Sequence, residues 1–139
     1  MKWNLTGMLL LVLYVNILPF ACRLLHGVEW MVNYLPEGVG GILFFAAVNT
    51  LAAGPLLPVW WLRKVIPVTW YLTLATVTAA LVWLHHDYDL ASDAQAAIGL
   101  LFFPVLAAAA GSGVLVIAGP IEGLMRKRAA RNAAQAPSL

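Results

Sequence analysis

Four stretches of the chain, residues 3–22, 38–62, 65–84 and 94–121, contain no Asp, Glu, Lys, Arg or His. Each is long enough to cross a bilayer, because a helix rises about 1.5 Å per residue and roughly 20 residues traverse the hydrocarbon. Lipid offers no hydrogen-bonding partners, so a lipid-facing backbone must satisfy itself, and an α-helix does so. The reading is an all-α membrane protein with four transmembrane helices in an antiparallel bundle with short loops. A water-soluble fold fails on composition. The 139 residues are 63% hydrophobic and 10% charged, against about 25% charge in a typical soluble domain. Residues 1–125 form the one transmembrane domain, and residues 126–139 a basic tail expected to be disordered.

Orientation follows from the cations. With the N-terminus in the cytoplasm, Lys2, Arg63, Lys64, Arg126, Lys127, Arg128 and Arg131 are inside and Arg23 alone is outside. The positive-inside rule favours this N-in/C-in arrangement over its reverse. It places Glu29, Glu37, Asp87, Asp89 and Asp93 outside and Glu122 inside. Trp3, Trp60, Trp61, Trp70 and Trp83 lie near run ends, where amphipathic rings prefer the interface. The alanine-rich composition suits a bacterial inner membrane. The basic cluster from Arg126 to Arg131 is explained by orientation and anionic lipid, so nucleic acid is not invoked.

The first run carries a cysteine at its end, as a lipoprotein leader does. Pro19 and bulky Phe20 precede Cys22 where such a site favours Leu and small residues, so the run is read as a span. Asn16 within it is expected to hydrogen-bond a neighbouring helix. The external connection after Arg23 is amphipathic and predicts a short helix in the outer interface or a continuation of the first helix, broken by Pro36 and Gly38.

The second run holds Asn49-Thr50, then Gly54-Pro55 and Pro58. Proline removes a helical hydrogen bond and clashes with the preceding turn, so this helix is expected to kink or unwind in its cytoplasmic half. Thr69, Thr73 and Thr76 share one face of the third run and predict a helix interface. In the fourth, Ala107/Gly111, Ala108/Ser112 and Ala109/Gly113 are overlapping small-xxx-small pairs, suited to the internal bundle or to a partner subunit. Pro104 predicts a kink. Ser92 with Gln95 forms a capping-box pattern at this helix's start. After Gly119-Pro120 the chain is expected to leave the bilayer.

One constellation could carry chemistry. His26, His85 and His86 fall at the outer face with Asp87 and the other external acids. Imidazole and carboxylate bind divalent metals, and two histidines on different helices could hold haem. Adjacent histidines on a helix point in different directions, which opposes both facing one site. The plainer reading is a solvated or partner-facing loop. The single cysteine excludes an internal disulfide and a CxxC motif. No phosphate loop, nucleophile elbow or HExxH is present. No ionisable group lies inside a run, which argues against an ion-coupled pump and against an intramembrane enzyme.

Three functional readings follow. The first is an accessory subunit that packs, through the small-residue helix face, against another membrane protein or a second copy. The second is a membrane-embedded immunity protein against a pore-forming or envelope-acting toxin. The third is a metal- or haem-binding protein using the outer His/Asp cluster; no cofactor is otherwise expected.

Overall fold

A computed structural model describes residues 5–32, 38–57, 59–86, 88 and 96–135, without the side chains of residues 61, 96 and 97. Among the described residues there are five α-helices: α1 (Leu5–Leu24), α2 (Val28–Val32), α3 (Gly38–Thr50), α4 (Pro67–His86) and α5 (Ala96–Gln135). No strand occurs among the described residues. Three of the helices, α1, α4 and α5, are long and apolar enough to cross a membrane.

The second run differs from its expectation of a single span. Its first helical stretch, Gly38–Ala53, is about 24 Å long against a hydrocarbon thickness of about 30 Å, and a second 3-10 turn, Trp60–Lys64, follows at the end of the run. The cause is local. Thr50 gives way to a 3-10 turn, Leu51–Ala53, and Gly54-Pro55 then turns the chain. The unwound backbone bonds to itself, with Gly54 N–H donating to Leu51 C=O at 2.8 Å and Leu57 N–H to Ala53 C=O at 3.0 Å. It is also buried. Ala52, Ala53 and Leu56 join Leu11 and Val15 of α1, Trp70, Val77 and Leu81 of α4, and Ala107 of α5 in the main core. Irregular backbone at membrane depth is tolerated where protein, not lipid, surrounds it.

α4 and α5 are the principal pair. The buried positions of α4 are Thr69, Trp70, Thr73, Val77, Leu81 and His85, a stripe repeating every four residues. Opposite it lie Leu100, Phe103, Pro104, Ala107, Gly111 and Gly119 of α5. A Cβ added at Gly111 would stand 2.6 Å from Val77 Cγ2 and 3.2 Å from Pro55 Cγ, so glycine is what allows this approach. Glu122 lies beside the N-terminus of α4 and Phe103 beside its C-terminal His85, so the two helices run antiparallel.

The ends of the bundle differ in charge. Arg23, His26, His85 and His86 gather at one end; Arg63, Lys64, Glu122 and Arg126 lie at the other. Glu122 completes the second end. Its carboxylate accepts N–H bonds from Val68 at 3.3 Å and Thr69 at 2.7 Å, and Arg126 Nε at 2.9 Å. Of the first-turn donors of α4, Pro67 has none and Trp70 N–H reaches Ile66 C=O at 3.0 Å, so each is accounted for.

α5 does not end at Gly119-Pro120. It continues to Gln135, 40 residues and about 60 Å in all. Residues 126–135, read from the sequence as disordered tail, are therefore helical and exposed. Leu, Met, Arg, Lys, Ala and Gln are strong helix formers, and a helix already begun needs no new nucleus to extend through them.

Candidate functional site

The histidine end is built by three helix termini. Arg23 occupies the last turn of α1, where a cation suits the negative end of the helix. Its side chain turns inward and is 1% exposed, with Nη2 donating to the Tyr88 carbonyl at 2.6 Å. Three successive turn bonds follow, from Leu25, His26 and Gly27 N–H to Cys22, Arg23 and Leu24 C=O. Gly27, at φ 115°, takes the left-handed conformation that sends the chain into α2. This return stacks His26 on Trp30, ring centroids 4.7 Å apart, and sets the Arg23 guanidinium 6.0 Å from the Trp30 ring.

His85 and His86 diverge, as neighbours on a helix do. His85 is fully buried and meets Phe103 of α5 edge-on at 5.0 Å. His86 faces the other way and meets His26 edge-on at 4.5 Å. Tyr88 lies against Gly99 and edge-on to Phe103 at 4.8 Å. The end is thus an aromatic and imidazole cluster around one enclosed guanidinium. His26 and His86 come together; His85 belongs to the core. Asp87, Asp89 and Asp93, and the Ser92/Gln95 capping box, lie outside the described residues.

Among the described residues no group of three or more His, Cys, Asp or Glu is placed to hold a metal ion. A haem held by two histidines needs its plane between them, and the His26 and His86 rings are in contact. Arg23 and His85 lie just outside the uncharged runs and are nevertheless buried. α1 and α4 extend beyond the uncharged runs to Leu24 and His86, and both side chains turn into the protein. Arg23 carried one signal in the sequence: the orientation expected from the positive-inside rule left it apart from the other cations.

The packing residues are distributed unevenly. Thr69, Thr73, Ala107 and Gly111 meet at the α4–α5 contact and are buried. Thr76 is only half-buried, because the four-residue stripe takes Val77 instead, and Ser112 is exposed. The threonine hydroxyl at Thr73 bonds back to Thr69 C=O at 2.9 Å within its own helix. Asn16 does cross to a neighbour, with Nδ2 donating to Thr50 Oγ1 of α3 at 3.2 Å and to Val12 C=O at 2.9 Å.

A second feature lies between α1 and α3. An apolar groove of about 590 Å³ runs from Leu9 to Phe20 on α1 and from Ile42 to Asn49 on α3. Asn49 lines it and is 2% exposed.

Comparison with known proteins gives no relative: no family model, no curated protein and no solved structure matches the chain.

Proposed function

We propose that the chain is a small multi-pass protein of the bacterial inner membrane that acts by protein–protein contact, as an accessory subunit of a larger membrane complex. It crosses four times, N-in/C-in, with Gly38–Ala53 and the buried turn after it completing the second crossing. The charge difference between the two ends of the bundle supports that orientation, the strongly basic end being cytoplasmic.

The observation that carries the reading is the division of the small residues on α5. Ala107 and Gly111 are used against α4, whereas Ala109, Ala110, Ser112 and Gly113 are exposed on the opposite side. A Cβ at Gly113 would meet nothing within 4 Å. Val116 and Ile117 continue this surface, 72% and 68% exposed. A helix whose second small-residue face is left uncovered has room for another helix at close range. The occupant in this reading is a transmembrane helix of a larger protein.

The test is a tagged pull-down from native membranes into nanodiscs, with mass spectrometry of the eluate. A partner at fixed stoichiometry, lost with Gly113→Leu while helix content stays unchanged, is the expected result. The partner's identity separates a resident subunit from an immunity protein, which would capture a toxin or its target. A chain that always elutes alone refutes the subunit reading. The contact of His26 with His86 keeps the metal reading in the same experiment. Metal analysis and an absorption spectrum of the eluate, with His86→Ala as control, decide it.

A further inference from the structure

We propose that the face of α5 left uncovered by the bundle docks a transmembrane helix that continues into the cytoplasm with acidic residues, Asp or Glu side chains pairing there with Lys127, Arg128 and Arg131. This rests on the reading that a larger membrane protein covers α5, and it states what that protein must carry.

The helix places the cations. α5 is one helix through Pro120 to Gln135, so each residue's angular position follows from about 100° of rotation per step. Ile117, Pro120, Leu124, Lys127, Arg128 and Arg131 all fall within about 60° of Gly113 around the axis. Gly113, Ile117, Pro120 and Leu124 are exposed, and the same stripe runs on into the three cations, which are exposed as well. Glu122 lies on the opposite side, about 180° away. There it accepts from Val68 and Thr69 of α4 and from Arg126, so Arg126 is paired on the inner side. Lys127, Arg128 and Arg131 have no ion partner among the described residues. Residues 123–139 contain no Asp or Glu to supply one.

Two observations favour an acidic helix as the complement. Arg128 and Arg131 stand at i, i+3 and Lys127 and Arg131 at i, i+4, so like charges oppose each other on an exposed stretch of helix. Carboxylates alongside remove that repulsion. The second is depth. Leu124 and Met125 are the last large apolar side chains before the cations, and Arg131 stands about 10 Å beyond Leu124 along the axis. The headgroup layer is about 5–8 Å deep. Lipid phosphates meet the membrane-proximal end of this spread; a helical partner matches the whole of it. A second copy fits worst. Two copies inserted in the same orientation pack α5 against α5 in parallel and set the three cations of each side by side, which charge complementarity opposes.

The test is made on the full chain in its native membranes. Benzoylphenylalanine in place of Ile117 captures by light whatever protein covers the face. A carbodiimide, which joins an amine to a carboxylate with no spacer, reports what stands beside Lys127. The expected result is an Ile117-site photoproduct and a Lys127 amide that map, by mass spectrometry, to the same protein, the amide on an Asp or Glu at the cytoplasmic end of a membrane helix. Photocapture falls about tenfold in the triple variant Lys127→Gln, Arg128→Gln, Arg131→Gln, as three exposed ion pairs allow. It is unchanged in Arg126→Gln, whose side chain lies on the other face. A protein captured at position 117 with no carboxylate coupled to Lys127 overturns the acidic complement and leaves the subunit reading standing. No protein captured at position 117 refutes the subunit reading itself and this inference with it. A second copy captured there overturns the proposal, as does capture undiminished in the triple variant, which assigns the cations to lipid. The carbodiimide arm needs only the unsubstituted cations, so it decides the matter even if the triple variant fails to insert.

Discussion

Removing the Glu122 carboxylate should loosen the α4–α5 pair at its basic end. The side chain is 13% exposed and takes two N–H groups from the first turn of α4, one short at 2.7 Å and one long at 3.3 Å. A hydrogen bond to a charged group contributes about 1.5–3 kcal/mol, and the favourable end of a helix dipole about 0.3–1 kcal/mol. The long bond and the nearness of water place the sum at the low end. Glu122→Ala should therefore destabilise by about 2 kcal/mol. Glu122→Gln, which keeps an acceptor oxygen and loses the charge, should cost about 1 kcal/mol. Arg126 is the control. Its side chain is 49% exposed and pairs at i, i+4, so Arg126→Ala should cost no more than about 0.5 kcal/mol. Reversible SDS unfolding in mixed micelles, followed by far-UV circular dichroism, measures all three. If Glu122→Ala lies within about 0.5 kcal/mol of the parent, or Arg126→Ala matches it, the carboxylate is not capping α4.

Other expectations are equally direct. Gly111→Ala should destabilise by about 1–3 kcal/mol, because its Cβ would collide with Val77 and Pro55, whereas Gly113→Ala should be neutral or slightly stabilising in the same assay. Thr50→Val should cost about 0.6–1.7 kcal/mol by removing the acceptor of Asn16, and cysteine cross-linking should report a looser α1–α3 contact. Arg23→Leu should cost about 1.5–3 kcal/mol through the lost bond to Tyr88 C=O, and Arg23→Lys should not restore it, since an ammonium lacks the planar fork. Unchanged stability of Arg23→Leu would refute a structural role for the enclosed guanidinium.

Helical class was legible because lipid leaves so few choices. Uncharged runs near 20 residues and tryptophans near their ends each report the bilayer, not a tertiary contact. The same local logic located the break near Gly54-Pro55 and the bond from Asn16 to its neighbour. The histidines were legible as a group but not as individuals: a helix rotates each residue by about 100°, so the partner at each position decides its role. Packing turned His85 into the core and His86 onto His26.

The sequence by itself determined solvent, helical class and charge segregation, because these depend on hydropathy summed over whole segments. Only the tertiary structure decided which small residues face inward, where the second run stops being a helix, and that α5 continues to Gln135. It also decided that Arg23 is enclosed and that Asn49 lines a groove between α1 and α3. Each of these depends on what a side chain meets across the bundle, and no residue's own chemistry specifies that.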